Sequence, residues 1–271
     1  MGITASITRQ KTSKSDAAAH DRSFLKPLSR VRNQWTTLGE TDPFRAILSR
    51  PRQGTGAWDQ RAFFDTGVVE IEEVLQTVKE FSPIHFATAM DFGCGVGRLS
   101  QALAVHFDRV IGIDIAVSMI QTALRLNGFP GRCEYVHNVT SDLATLTDES
   151  VDFIYSNITL QHMVPSLAAN YIREFFRIAR SGASVVFQVP SRPRSVAWHT
   201  LKNAAPIALS NLLWRFRTRN VEAMESYFIP EDEVRDLVRR SGGSVKLVKS
   251  DDCGPPGWES RKYFCTRTAA T

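Results

Sequence analysis

The chain has 271 residues, 43% of them hydrophobic, and a formal net charge of +5 at pH 7. This is enough apolar material for one sizeable core with additional segments, and the modest charge does not require a nucleic-acid partner. No run of about 18 apolar residues occurs and the N-terminus has no apolar leader core, so we expect neither a transmembrane helix nor a secretory signal.

Four cysteines are present, at positions 94, 133, 253 and 265. None belongs to a C-x-x-C pair and none has a histidine at ligand spacing, which argues against a zinc site. Cys94 lies inside a glycine-rich loop, where a disulfide would obstruct a ligand. We therefore predict reduced thiols, no metal site and a cytoplasmic location.

The N-terminal quarter of the chain divides into two parts. Residues 1–22 are polar and lack a hydrophobic period, so we predict a disordered basic tail. Residues 23–65 carry large apolar side chains at irregular spacing, which indicates an N-terminal cap of short helices. These side chains either seal one end of the core or cover a ligand pocket, and the two interpretations are compatible.

Residues 66–271 form the main domain, in which strand-like and helix-like patterns alternate. A helix capped by Thr66 and ending near residue 81 comes first. The elements predicted after it are a strand at 86–92, a helix at 99–107, a strand at 109–114, a helix at 117–126, strands at 133–137 and 151–156, a helix at 166–180 and a strand at 184–189. Such units imply a parallel sheet with helices on both faces.

The alternation stops at an insertion, residues 191–228, for which we predict one helix at 207–216 and several exposed basic side chains. Another helix opens at Pro230, with three carboxylates near its positive dipole end, and a glycine pair closes it. Two closely spaced strands, 245–248 and 262–266, are predicted to form an antiparallel pair at one side of the sheet.

A glycine loop joins the first strand to the helix that follows it. Gly93, Gly95 and Gly97 lack Cβ atoms, so the backbone can bend sharply and approach a ligand, while free N–H groups at the helix start face that ligand. The dinucleotide fingerprint G-x-G-x-x-G places its third glycine at position 98, where this chain has Arg98. The pattern is instead G-x-G-x-G, with Asp91 two residues before it.

Three further segments complete a recognisable pattern. Asp114 ends the second strand, the pair Asp142-Leu143 follows the third, and residues 156–163 after the fourth end in Leu-Gln-His-Met. Together with the loop, over about residues 66–189, they resemble the class I S-adenosylmethionine-dependent methyltransferases. The resemblance implies a doubly wound, mostly parallel, seven-stranded Rossmann-like sheet with an antiparallel final strand, and S-adenosylmethionine as the cofactor.

The resemblance also implies a set of cofactor-binding residues: Asp91, Gly93, Cys94, Gly95, Gly97, Asp114, Ile115, Met119, Ser141, Asp142, Leu143 and Ser156. The loop N–H groups suit the methionine end, and Asp91 orients the loop or meets the ammonium. Asp114 accepts the two ribose hydroxyls, as acidic residues do in dinucleotide sites. Ile115 and Met119 pack on the adenine, and Asp142 and the Leu143 N–H bind its polar edge. As an alternative, Asp142 is a solvated loop residue.

His162 is the candidate catalytic residue, because it follows the fourth strand where the methyl group is expected to point. A near-neutral pKa suits it to remove a proton from a hydroxyl nucleophile. The alternative is that it packs structurally beside the loop. A general base is optional, since a sulfonium is already activated and positioning supplies much of the acceleration.

The sequence says less about the identity of the methyl acceptor than about the cofactor. Ser156-Asn157-Ile158-Thr159 stands where base-amino methyltransferases have Asn/Asp-Pro-Pro-Phe/Tyr, and no Pro-Cys nucleophile follows the fourth strand. This disfavours nucleic acid and favours a hydroxyl or amine of a small molecule or glycan. The basic side chains of residues 191–228 suit an anionic acceptor, a solvated helix face or a peripheral membrane contact.

Two other functions stay open on the sequence alone. A NAD-dependent Rossmann oxidoreductase is opposed by Arg98, and a non-catalytic methyltransferase-like binding module would keep the cofactor loop without an acceptor pocket. The sequence carries no signal for an oligomeric state.

Overall fold

The computed structural model describes residues 14–48, 58–193, 225–255 and 257–269. The helix predicted at 207–216, most of the predicted insertion and the first part of the predicted tail lie outside these residues. In the described ranges, no helix combines the length and the hydropathy that a membrane span needs.

The strands form one seven-stranded sheet in the order β3-β2-β1-β4-β5-β7-β6. Their bounds are β1 Thr88–Phe92, β2 Arg109–Asp114, β3 Cys133–His137, β4 Val151–Ser156, β5 Ala179–Pro193, β6 Gly243–Asp251 and β7 Trp258–Arg267. Strands β1 to β5 pair in parallel, and β7 is antiparallel to both β5 and β6. The predicted fold class is confirmed, and β2, β3 and β4 have the predicted bounds.

The helices are α1 Lys14–Thr41, α2 Pro43–Ile47, α3 Gln60–Lys79, α4 Arg98–Leu103, α5 Val117–Arg125, α6 Pro165–Ile178 and α7 Glu231–Arg240, with a 3-10 turn at Leu160–His162. Helix α1 begins at Lys14, so the predicted boundary between tail and cap, at residue 22, lies inside it.

Helix α3 begins six residues earlier than Thr66, the predicted cap. Asp59 is the N-cap, and its carboxylate accepts the Ala62 N–H at 2.8 Å. Thr66 lies inside the helix, where its hydroxyl donates to the Phe63 carbonyl at 2.6 Å. The prediction was wrong because a threonine bonded to its own helix has the same sequence signature as a cap.

Strand β5 is longer than predicted and continues through Pro190, which the sequence analysis placed after the end of the strand. Pro190 lies opposite Ser260 of β7, and its carbonyl accepts the Ile229 N–H at 3.0 Å. The pairing shifts register immediately after it. A proline is tolerated at such an irregularity because its missing N–H costs no ladder bond there.

The sheet is covered on both faces, as alternation along the strands requires. Met90 of β1 belongs to the core cluster under α6, whereas its neighbour Ala89 belongs to the cluster under α3 and α4. A third cluster, built around Phe63, joins the N-terminal helices to the start of α5. This cluster places α1 and α2 over the edge where β1, β2 and β4 end.

Candidate functional site

A cleft of about 660 Å³ opens at the carboxyl ends of β1, β2 and β4. In an open parallel sheet this edge is where ligands bind. Its floor is formed by Phe92, Gly93, Gly95, Ile113, Asp114 and Ile115, and one wall by Val31, Trp35 and Ile47 of α1 and α2. The opposite wall is formed by Asn157, Ile158, Thr159, Met163 and Tyr171, with Asn138 at one end. The lining is mostly apolar with a few polar groups.

The glycine loop between β1 and α4 forms the centre of the floor. Gly93, Gly95 and Gly97 have φ values of 77°, 53° and 85°, a region that side chains rarely enter. The N–H of Gly93 donates to the Ile113 carbonyl at 2.7 Å, which ties the loop to β2. A Cβ at Gly97 would lie 2.2 Å from the hydroxyl of Tyr135, so this position has no room for a side chain.

Asp114, at the end of β2, connects the loop to helix α5. One carboxylate oxygen accepts the Gly95 N–H and the other accepts the Ala116 N–H, both at 2.8 Å. Burial raises the pKa of Asp114 above its ordinary value, while these N–H groups act in the opposite direction. A carboxylate has about four acceptor sites, so these backbone N–H groups leave Asp114 able to accept a further hydrogen bond in the cleft that it lines.

The structure brings four of the predicted cofactor residues onto the cleft: Gly93, Gly95, Asp114 and Ile115. Asp91 lies behind the loop instead. It is fully buried, and one of its carboxylate oxygens accepts the Ser100 hydroxyl at 2.7 Å. The other oxygen has no hydrogen-bond partner among the described residues. Burial raises the pKa of Asp91 to about 7.

Four further predicted residues pack around the loop without lining the cleft. Cys94 is buried, and its thiol lies 3.7 Å from the Gly95 carbonyl. Met119 belongs to the Phe63 cluster. The Ser156 hydroxyl donates to the Phe92 carbonyl at 3.0 Å. Together with Gly97 these residues hold the loop in place.

The segment after β3 does not present the predicted adenine-binding groups to the cleft. The Leu143 N–H donates to Glu174 at 2.8 Å, so a local carboxylate already uses it. The Asp142 carboxylate accepts the Thr140 hydroxyl at 2.9 Å, and the Ser141 carbonyl accepts the Asn170 amide at 2.7 Å.

His162 lies beside the cleft, with its ring 5.2 Å from that of Trp35 in an edge-on arrangement. Its two nitrogens have partners: Nε2 lies 3.1 Å from the Gln161 amide nitrogen and Nδ1 lies 3.3 Å from the Glu225 carbonyl. Burial lowers the pKa of His162 to about 4.

The tautomer of His162 follows from a chain of amides that begins at a backbone group. The Ile158 N–H donates to the Gln188 side-chain oxygen at 3.1 Å, so the Gln188 amide nitrogen points to Gln161. Gln161 therefore donates its own amide N–H to Nε2 of His162. The ring proton is on Nδ1 and the lone pair is already engaged, which does not favour His162 as a free base.

Several cleft residues escaped the sequence analysis as site residues. Asn157 and Thr159 lie within the segment that carried the resemblance, but nothing local distinguished them from their neighbours. Trp35 and Ile47 were among the large side chains of the cap, and only tertiary packing brings them to the glycine loop. A Cβ at Gly95 would lie 2.6 Å from the end of the Ile47 side chain.

Comparison with known proteins agrees with this geometry. Residues 90–187 match the family described as "Methyltransferase domain". Ubiquinone biosynthesis O-methyltransferase of Hahella chejuensis is 30% identical over 142 residues, which is 51% of this chain and 58% of that protein. Phosphoethanolamine N-methyltransferase 3 of Arabidopsis thaliana is 26% identical over 118 residues, which is 43% of this chain and 24% of that protein. The chain thus spans less than two thirds of either relative.

A solved structure extends the likeness to most of the fold. Magnesium protoporphyrin IX methyltransferase from Synechocystis PCC 6803, with bound SAH, superposes with a TM-score of 0.59 over 89% of this chain and all of that chain, at 20% identity. The family match at residues 90–187 includes the glycine loop and Asp114. This chain therefore contains, at residues 90–187, a methyltransferase domain of the class I S-adenosylmethionine-dependent type.

Proposed function

We propose that the protein transfers a methyl group from S-adenosylmethionine to a hydroxyl or amine of a small-molecule or glycan acceptor. The observation that carries this proposal is the Asp114 carboxylate, which accepts the Gly95 N–H of the glycine loop and also lines the cleft. The activity of the whole protein is part of the proposal, because the similarity to the relatives extends over only about half of this chain.

In this proposal the cofactor lies along the floor of the cleft. Asp114 accepts the ribose hydroxyls, and the side chains of Ile113 and Ile115 pack beside the adenine. The methionine end then lies against Gly93 and Gly95, where the absence of Cβ atoms allows close approach. Asn138 is one of the polar side chains that line the cleft.

The acceptor side supports a molecule with an apolar or planar body. Trp35 and Ile47 form one wall and Met163 belongs to the other, so the reacting group would be surrounded by apolar surface. The two curated relatives are named as an O- and an N-methyltransferase, which is consistent with a hydroxyl or an amine as the reacting atom.

Methyl transfer requires little chemical catalysis by protein side chains. Bound S-adenosylmethionine supplies an electrophilic methyl group on a sulfonium. The protein's part is to align the acceptor and exclude water, which is the main source of rate enhancement for such a displacement. His162, neutral and with both nitrogens engaged, then has a positioning role beside Trp35.

Deuteromethyl-labelled cofactor identifies the acceptor. The protein is incubated with cell extract and this cofactor, and the small-molecule, glycan, RNA and protein fractions are searched by mass spectrometry for the mass shift. We expect label in a small molecule or glycan, and less label with Asp114→Ala at a cofactor concentration near the wild-type dissociation constant. Label confined to RNA or protein would contradict the proposal. Tight S-adenosylhomocysteine binding without any labelled product would favour a binding module.

A further inference from the structure

Asn157 follows directly after β4 and lies in the wall of the cleft. It is 6% exposed, so its side-chain amide is removed from bulk water. A buried amide must find partners within the protein or from a ligand, because an unmade hydrogen bond there costs free energy.

The orientation of this amide is determined by Glu70 of α3. The Asn157 Nδ2 atom lies 2.5 Å from Glu70 Oε1. An ionised carboxylate can only accept hydrogen bonds, so the NH2 group must face Glu70 and the Asn157 carbonyl oxygen must face away from it.

Glu70 is itself held in the ionised state. Its Oε2 accepts Arg98 Nη2 at 2.8 Å, and its Oε1 also accepts the Tyr155 hydroxyl at 2.7 Å. Burial acts to raise the pKa of Glu70, but the charges of Arg98 and Lys262 and these hydrogen bonds hold it below the ordinary value. The amide orientation is therefore fixed over the neutral pH range.

The Asn157 carbonyl oxygen has no hydrogen-bond partner among the described residues, although it is fully buried. Two other side-chain oxygens in this condition lie beside the glycine loop, among those residues: Asp91 Oδ1 and the Tyr135 hydroxyl. Asp91 pairs with Tyr155 across β1 and β4, and Tyr155 and Asn157 both bond to Glu70. Asp91 and Asn157 thus lie on the same face of two neighbouring strands.

The backbone after Asn157 is bent in an unusual way. Ile158 has a φ of 57°, which is strained for a β-branched residue, and the Gln188 side chain accepts its N–H at 3.1 Å. Strain of this kind persists where the surrounding structure imposes it, and it is concentrated at ligand sites. Here the bend at Ile158 turns the backbone away from the direction of β4 immediately after Asn157.

We propose that the side-chain oxygen of Asn157, oriented by Glu70, binds an N–H of the α-ammonium group of the cofactor's methionine end. This inference rests on the proposed cofactor site and adds a specificity residue to it. An ammonium has three N–H donors, so it satisfies the Asn157 oxygen and keeps two N–H groups for other acceptors.

Calorimetry with two ligands tests this contact. S-adenosylhomocysteine carries the ammonium, and its deamino analogue has hydrogen in place of the amino group. We expect Asn157→Ala to weaken S-adenosylhomocysteine about ten-fold, as for a lost hydrogen bond to a charged group, and to leave the deamino analogue within two-fold of wild type.

Asn127→Ala is the matched control. The Asn127 amide is also engaged, with the Cys133 carbonyl at 3.2 Å and the Phe129 N–H at 2.9 Å, but it lies after α5 at the other edge of the sheet. Both ligands should bind this variant as they bind wild type. If Asn157→Ala does not fold, Glu70→Gln provides the same comparison, with a selective loss of S-adenosylhomocysteine affinity.

The results separate this inference from the proposed function. Equal weakening of both ligands by Asn157→Ala, or no weakening of either, overturns the ammonium contact while the cofactor site stands. If wild type binds neither ligand, the proposed function itself fails.

Discussion

The Asp114 carboxylate accepts backbone N–H groups from two elements and faces the cleft between them. In the proposed function, its effect on binding is therefore both direct, through the hydroxyl donors of the cofactor, and indirect, through the position of Gly95. Removing the carboxylate leaves two buried N–H groups without a partner, which is more costly than the loss of one contact.

Asp114→Ala is expected to weaken S-adenosylhomocysteine binding by at least about ten-fold, as for a lost hydrogen bond to a charged group. Calorimetry measures the change. Asp108→Ala is the control, because Asp108 is exposed and precedes the opposite end of the same strand. Unchanged affinity in Asp114→Ala would remove this residue from the site.

His162 provides a test through pH. Its native pKa of about 4 lies below the value of about 6.5 expected in the unfolded chain, so the unfolded state takes up a proton first as the pH falls. This lowers the free energy of unfolding progressively between about pH 6.5 and about pH 4. His162→Gln lacks this contribution.

Urea unfolding of wild type and His162→Gln at several pH values isolates the effect. Asp91 has a raised pKa of about 7 and titrates in an overlapping range, but it is present in both proteins and cancels in the difference. The stability advantage of wild type over the variant should shrink as the pH falls through this window. A difference that does not vary with pH would show that His162 is not held neutral.

At this scale, the sequence analysis named residues that line the cleft where they have a local signature. Gly93, Gly95 and Asp114 stand out through spacing and strand position alone. Asn157 and Trp35 do not, because their place on the cleft depends on packing between segments far apart in sequence. For the same reason the sequence analysis assigned the Leu143 N–H to a ligand, whereas Glu174 of α6 binds it.

At the scale of elements, side chains from three neighbouring segments pack against the glycine loop and fix its backbone conformation. Thr159 fills the space beside Gly93, Ile47 the space beside Gly95, and Tyr135 the space beside Gly97. The loop is therefore packed from the acceptor wall, the cap and the β3 strand together. A side chain at any of these positions would displace a different element.

Gly97→Ala should destabilise the protein by about 1–3 kcal/mol, because alanine is strained at a φ of 85° and its Cβ would overlap the Tyr135 hydroxyl. Urea unfolding measures the loss. Gly131→Ala is the matched control, since a Cβ there meets nothing within 4 Å, and it should stay within about 0.5 kcal/mol of wild type. Equal stability of the two variants would contradict the role given to the loop geometry.

Helices and strands were predicted best where their own residues are enough to identify them. Strands β2 and β4 are short, mostly buried apolar runs with clear turns at both ends. The start of α3 and the end of β5 were misplaced because Thr66 and Pro190 have residue types that are ambiguous without their partners. Those partners, the Phe63 carbonyl and Ser260 of β7, are visible only in the folded chain.

At the scale of the whole molecule, the cleft is where otherwise separate parts meet. Helices α1 and α2 contribute one wall, β1 and β2 the floor, and the segment after β4 the opposite wall. A ligand that binds all three stabilises the folded state, because the unfolded chain has no such site.

S-adenosylhomocysteine at a hundred times its dissociation constant is expected to stabilise the protein by about 2.7 kcal/mol, which raises the melting temperature by roughly 5–10 °C. Thermal unfolding with and without ligand measures the shift. NAD at the same concentration should give none, and the ten-fold weaker affinity of Asp114→Ala should reduce the stabilisation to about 1.4 kcal/mol or less. A larger shift with NAD would support the oxidoreductase alternative.

The order of strands at one side of the sheet affects how the chain completes its fold during synthesis. Strand β7 is made after β6, yet it lies between β5 and β6 and buries Tyr263, Phe264 and Cys265. Until residue 267 has left the ribosome, β5 therefore presents an unpaired edge with apolar side chains beside it. An edge of this kind is prone to pair with other chains. We therefore expect a nascent chain stalled before β7 to depend on chaperones more than the complete chain does.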